Sequence, residues 1–220
     1  MGSRRLPQAS RMLQTLLHSG FTVVSFDYRL APETKLAGIS EDVQDAFRWL
    51  RSQAGMLNVD PDRIMVCGGS AGGFLTLMSG FCVQPAPKAL VSYWGYGDIL
   101  GEWYSRPDAF YRKQSLVSRE EALASIGKTA ISEADGATPR SRFYLYCRQQ
   151  GIWPKEVAGR DPDTERSWFE RYCPIHNLTS AYPPTLLVHG TADNDVPYQQ
   201  SQIMAEALRR AGVEHKLISI

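Results

Sequence analysis

The stretch Cys67-Gly68-Gly69-Ser70-Ala71-Gly72-Gly73 sets one hydroxyl among glycines. Gly-x-Ser-x-Gly alone is a weak pattern, but here an apolar run, Arg63 to Cys67, leads in and a helix-forming run, Phe74 to Phe81, leads out. A sharp strand-to-helix turn forces its central residue into strained backbone geometry, and flanking glycines let neighbouring chain approach. It would hold the Ser70 hydroxyl above a sheet, at the amino end of a helix. There the Ala71 N–H can donate to a developing oxyanion, and the helix dipole favours that charge. The competing reading is a turn that only packs helix against strand or cradles a phosphate. Phosphate loops usually carry a lysine or a GxGxxG spacing, and neither is present. The chemistry indicated is nucleophilic attack by Ser70.

A serine hydroxyl is a poor nucleophile unless a base takes its proton and an acid orients that base. In the fold type that carries its nucleophile on such a turn, the chain order is Ser, then Asp or Glu, then His. The segment His189-Gly190-Thr191-Ala192-Asp193-Asn194-Asp195-Val196-Pro197 supplies the acid, as Asp193 or Asp195. Both are also ordinary turn and cap residues, and local physics does not rank them. None of the four histidines is well placed as a base. His18 precedes the nucleophile, His176 lies in a long insert, His189 belongs to the strand before the acid loop, and His215 alternates within the last strand. Each reads as structural or solvated.

The elements that position these groups follow from periodicity. Met12, Leu13, Leu16 and Leu17 share a helical face within Pro7–Ser19, which Gly20 ends. Phe21–Phe26 reads as a strand buried on both faces, and the loop Asp27-Tyr28-Arg29-Leu30-Ala31-Pro32-Glu33 follows it. A helix over Ser40–Gln53 has Ser40 as its N-cap and a stripe of Val43, Phe47 and Leu50. Strands are predicted at Arg63–Cys67, Ala89–Tyr93, Thr185–His189 and Glu214–Ile218, with a helix over Tyr198–Ala211. Alternating apolar strands and amphipathic helices mean an α/β fold with a mostly parallel sheet flanked by helices. The whole of 1–220 reads as one domain, with a core of about 1–93 and 184–220 and a helical cap insertion over about 94–183. Thirteen of the chain's 23 aromatic residues fall between Trp94 and Tyr172, which suggests either an apolar pocket over the sheet's carboxyl edge or a small helical core. Arg140, Arg142 and Arg148 in that insert read as solvated surface.

At 220 residues, 43% hydrophobic and 21% charged, the chain is neither disordered nor a coiled coil. A net charge of +1 favours neither nucleic acid nor an anionic membrane. No apolar run nears the roughly 20 residues that span a bilayer, and no signal-peptide stretch opens the chain, so a cytoplasmic location is expected. Cys67, Cys82, Cys147 and Cys173 show neither disulfide nor zinc spacing. No metal, nucleotide or flavin cofactor is implied. The expected partner is a small-molecule ester or peptide substrate, and an oligomer is compatible with the sequence.

The residues 27–33 and Gly69-Ser70-Ala71-Gly72-Gly73 resemble the hormone-sensitive-lipase-like esterases and lipases of the α/β-hydrolase superfamily. His189-Gly190-Thr191-Ala192-Asp193 with Val196 is also similar to the hydrolase domains of prolyl-oligopeptidase-type peptidases. In these families the first aspartate after the His-Gly pair is the triad acid, which favours Asp193 with Asp195 second. The resemblance implies a catalytic histidine beyond Ile220, and a His-Gly-Gly oxyanion loop with its strand upstream of Met1. On that reading the sheet is incomplete on its N-terminal side and the 220 residues are a truncated, inactive form of a carboxylesterase or lipase. The alternatives are a non-catalytic α/β-hydrolase-like binding protein and a peptidase.

Overall fold

Four short apolar runs become the strands of one sheet. The computed structural model describes residues 11–132 and 140–220; the predicted helix positions 7–10 lie outside them. In chain order the elements are α1 (Arg11–His18), α2 (Leu36–Ser52), α3 (Ala54–Leu57), β1 (Met65–Gly69), α4 (Ala71–Cys82) and β2 (Ala89–Tyr93). Next come α5 (Glu102–Ser105), α6 (Arg119–Ala124), α7 (Ser141–Gln150), α8 (Trp153–Ala158) and α9 (Arg166–Glu170). The chain closes with β3 (Thr185–His189), α10 (Gln199–Arg210) and β4 (His215–Ser219). The strands are all parallel in the order β1-β2-β3-β4, with Cys67 opposite Val91, Val91 opposite Leu186 and Leu186 opposite Lys216.

That register puts Leu90 and Leu187 on one sheet face, where they are buried with Leu77 of α4, Met204 and Leu208 of α10, and Tyr182. Helix α4 is apolar nearly all round, and every residue from Gly73 to Gly80 is buried, as expected of a helix enclosed between layers. A second cluster joins Ile39, Val43 and Phe47 of α2 to Phe74, Tyr96, Tyr104 and Phe169. On the other sheet face Met65 is 37% and Ile218 38% exposed, and Cys67 is exposed too.

Two local expectations fail. Residues 21–26 form no strand: the segment makes no ladder, and Phe21, Val24 and Phe26 are exposed. An apolar run becomes a strand only where a neighbour satisfies its N–H and C=O groups. Among the described residues β1 pairs on one side only, with β2, and is an edge strand of the sheet. The second helix begins at Leu36, with Lys35 in the N-cap position, and Ser40 is buried inside it. The apolar stripe runs one turn earlier than predicted, through Leu36 and Ile39, and that packing outweighs the capping preference of Ser40.

Two ion pairs fasten the loop over residues 27–33. Arg29 Nε donates to Asp42 Oδ1 at 2.8 Å, and the Arg29 amide donates to Asp42 Oδ2 at 2.8 Å. Arg140 reaches across from the β2–β3 connection to Glu33 at 2.6 and 2.7 Å and to the Ala31 carbonyl at 2.6 Å. Their side chains are 5% and 0% exposed. Arg140 is therefore buried, against expectation, because Glu33 compensates its charge. Among the described residues no helix is long and apolar enough to cross a membrane.

Candidate active site

Strand β1 ends at Gly69 and helix α4 begins at Ala71, leaving one residue for the bend. That residue, Ser70, has φ 54° and ψ −120°, a region that costs a side chain about 1–3 kcal/mol. The surroundings hold it there. Its amide donates to the Tyr93 carbonyl at the end of β2 at 3.0 Å, and its carbonyl accepts the Phe74 amide at 3.0 Å. The hydroxyl does not cap α4. Ala71 is exposed and opens the helix, so the helix ladder does not use its amide.

The glycines divide their work unevenly. A Cβ on Gly68 would lie 2.5 Å from the Gly72 carbonyl oxygen, and one on Gly73 would lie 2.8 Å from the Gly95 Cα. Gly72 itself has nothing within 4 Å of that position. Close approach therefore constrains Gly68, the first glycine of the Gly-x-Ser-x-Gly pattern, and Gly73, one position beyond it. Gly69 lies under the Trp94 indole, 2.9 Å from where a Cβ would sit. Trp94 has φ 37° and is 45% exposed. A bulky residue at positive φ is a genuine outlier, and it stands beside the strained serine. The sequence reading missed it. The one available signal is the Trp94-Gly95 step directly after a predicted strand.

The acid loop follows β3. Adjacent strands lie about 4.8 Å apart, so the loops leaving β1 and β3 start about 10 Å apart on the same sheet edge. The two candidate carboxylates have different surroundings. Asp193 Oδ1 accepts the amides of Asp195 at 2.8 Å and Val196 at 3.0 Å, while Oδ2 lies 3.4 Å from His189 Nε2. Asp195 Oδ1 is held by Tyr111 Oη at 2.8 Å, Tyr144 Oη at 2.5 Å and Arg148 Nη1 at 2.8 Å. Burial first, and the bond to Asp195 next, push the Tyr111 hydroxyl well above the usual tyrosine range.

The histidines match their sequence reading. His189 is fully buried; its Nδ1 is hydrogen-bonded to Ser201 Oγ at 2.7 Å and its Nε2 to the Val196 carbonyl at 2.9 Å. His18 and His215 bond to the carbonyls of Gln14 and Val213, and His176 is exposed. The chain's last residue runs beside the acid loop: the Ile220 amide donates to the His189 carbonyl at 2.9 Å, and its carbonyl accepts the Thr191 amide at 2.8 Å.

The aromatic residues after β2 serve largely as packing. Tyr96, Tyr104 and Phe169 are buried in the main core, while Phe143 joins Val117, Ala122 and Cys147 in a small cluster of its own. Arg148 is 1% exposed, not solvated; Asp108, Asp195 and four aromatic rings surround it. Arg142 is 46% exposed, as expected. Among the described residues no group of three or more His, Cys, Asp or Glu could hold a metal ion.

The BD-FAE family model matches residues 3–208. Among curated proteins the chain is 27% identical over 252 residues to the non-reducing polyketide synthase ausA of Aspergillus calidoustus, covering 92% of this chain and 10% of that one. It is 28% identical over 257 residues to the non-reducing polyketide synthase Preu3 of Preussia isomera, covering 96% of this chain and 10% of that one. The chain thus spans about a tenth of these relatives. Among solved structures, a Staphylococcus aureus Mu50 protein described as of unknown function aligns with a TM-score of 0.76 at 23% identity, over 96% of this chain and 72% of that one. A truncated carbohydrate esterase from gut microbiota aligns at 0.61 and 24% identity, over 93% and 67%. Thermogutta terrifontis esterase 2, phosphoramylated by tabun, aligns at 0.52 and 24%, over 85% and 54%. These likenesses are of fold, and the fold is the α/β-hydrolase type.

Proposed function

This chain belongs to the BD-FAE family, and on that premise we propose that it hydrolyses carboxylic esters through an acyl-enzyme on Ser70. One observation carries the reading: a side chain held at φ 54° on a one-residue bend, with its hydroxyl left out of the helix cap. Strain of this kind clusters at functional sites.

In the proposed reaction Ser70 Oγ attacks the ester carbonyl carbon and its proton passes to a histidine. The Ala71 amide stabilises the oxyanion. Collapse breaks the carbon–oxygen bond to the alcohol, which leaves with that proton, and water then cleaves the acyl-enzyme. Asp193 is the acid that orients the histidine. Its Oδ1 is fixed by two backbone amides, whereas Asp195 Oδ1 is held by three side chains. The histidine is proposed to lie C-terminal to Asp193, on the side where the backbone of Ile220 pairs at the mouth of the acid loop. Two structural neighbours, a carbohydrate esterase and an esterase phosphoramylated by tabun, accord with this reaction class. The cap over 94–183, the carboxylesterase specificity and the cytoplasmic location belong to the same proposal.

The test is a fluorophosphonate probe on the protein expressed from its native reading frame. Labelling that Ser70→Ala abolishes, in a variant with unchanged circular dichroism, is the expected result. Folded protein that takes no label sinks the reading and leaves the binding-protein alternative. Paired ester and amide substrates separate esterase from peptidase. Residues 1–220 alone are expected to turn over negligibly, and Ser70-dependent hydrolysis by them would place the base within the chain.

A further inference from the structure

The β2–β3 connection reaches the acid loop through one buried cation. Arg148 Nη1 donates to Asp195 Oδ1 at 2.8 Å, to the Asp195 carbonyl at 3.0 Å and to Tyr144 Oη at 2.7 Å. Nη2 donates to Asp108 Oδ2 at 2.7 Å. The guanidinium carbon lies 4.7 Å from the Tyr111 ring centre and 4.8 Å from that of Tyr104, with Trp103 and Tyr144 within 6 Å. Rings at such distances both attract a cation and keep water from it. Nε is buried with no hydrogen-bond partner among the described residues, so contacts at the two terminal nitrogens set the orientation of the guanidinium. The far side of Asp195 faces the proposed acid: its amide donates to Asp193 Oδ1 at 2.8 Å. A continuous path therefore runs from α7 through Asp195 to Asp193.

We propose that Arg148 is a positioning residue for the Asp193 carboxylate, acting from the β2–β3 connection through Asp195. The role rests on the reading of Asp193 as the acid of a serine hydrolase. Three donors on one oxygen hold Asp195 in place, and with it the amide that orients Asp193. The planar fork of arginine matters here, because one group must engage Asp108 and Asp195 at once. A lysine presents a point charge that serves one of them well.

Two measurements on Arg148→Met, Arg148→Lys and Tyr111→Phe test this. The first is residue-resolved hydrogen exchange of the Asp195 and Val196 amides, with Leu90 in β2 as a report on global opening. Arg148→Met is expected to lower protection of the two loop amides at least tenfold more than that of Leu90, with Arg148→Lys intermediate. The second is kinetics in the native-frame protein, where kcat is expected to fall tenfold or more while KM stays within twofold. Should Arg148→Met fail to fold, Tyr111→Phe decides, since it removes one donor to Asp195 Oδ1 and keeps the ion pair. Loop amides that follow Leu90 in every folded variant overturn the proposal, because a merely structural arginine gives that result. The exchange result does not depend on catalysis. A clamp that holds while Ser70→Ala leaves probe labelling intact discards the hydrolase reading alone. Label confined to Ser70 with unchanged loop protection discards the clamp alone.

Discussion

The amide of Ser70 donates to the carbonyl of Tyr93 at 3.0 Å, which fastens the bend after β1 to the end of β2. Because the backbone is held from outside, the strain at Ser70 does not relax into an ordinary helix start. Ser70→Gly should therefore stabilise the protein by about 1 kcal/mol, since glycine accepts this conformation without a Cβ clash. Ser70→Ala keeps the Cβ and the strain, and should change stability by less than about 0.5 kcal/mol. Thermal unfolding ranks the two; an alanine variant as stable as the glycine variant would contradict the strain argument.

Gly68 and Gly72 should respond in opposite directions. Gly68→Ala drives a methyl to 2.5 Å from a backbone oxygen and should cost at least about 1–3 kcal/mol. Gly72→Ala meets open space within α4 and should gain about 0.5–1 kcal/mol from helix propensity. Urea midpoints measure both, and equal midpoints would mean that the bend leaves room for a side chain at position 68.

The Glu33–Arg140 pair should set an acid limit on stability. Burial works to raise the Glu33 carboxyl, but the hydrogen bonds from Arg140 and the Gly127 amide outweigh it and hold the group below its ordinary value. A depressed folded pKa means the contribution is complete above the unfolded value, about pH 4.3, and is lost as pH falls through the folded value. The melting-temperature gap between wild type and Glu33→Gln should be constant from pH 5 to 7 and close on further acidification. Arg140→Met, which strands a buried carboxylate, should cost about 3–5 kcal/mol at neutral pH.

Thiol reactivity reports on the sheet face that carries Cys67. Cys67 is exposed, whereas Cys147 and Cys173 are buried, and burial pushes the Cys173 thiol up to about 12. A disulfide reagent such as DTNB should modify Cys67 in the native protein, and Cys147 and Cys173 only after unfolding. Protection of Cys67 in folded protein would show that something covers this face in solution.

Much of the scaffold was legible because its signals are local. The predicted strands at Ala89–Tyr93 and Thr185–His189 coincide with β2 and β3. A run of apolar residues between turn formers leaves little else for the backbone to do. Ser70 was legible for the same reason, since a bend between strand and helix needs glycines nearby. Phe21–Phe26 misled because a strand is a property of two segments, and its own residues carry no record of whether a partner lies beside them.

The amino-acid sequence alone determined the alternation of strand and helix, the bend that carries Ser70 and the pair of carboxylates after β3. Each depends on backbone preferences acting over a few residues. Only the tertiary structure decided that Asp195 is gripped by Arg148, Tyr111 and Tyr144 while Asp193 Oδ1 takes backbone amides. It also decided that Arg140 and Arg148, which read as surface, are buried. A charge can be buried only where an opposite charge meets it. Those partners come from positions dozens of residues away, so no local pattern announces them.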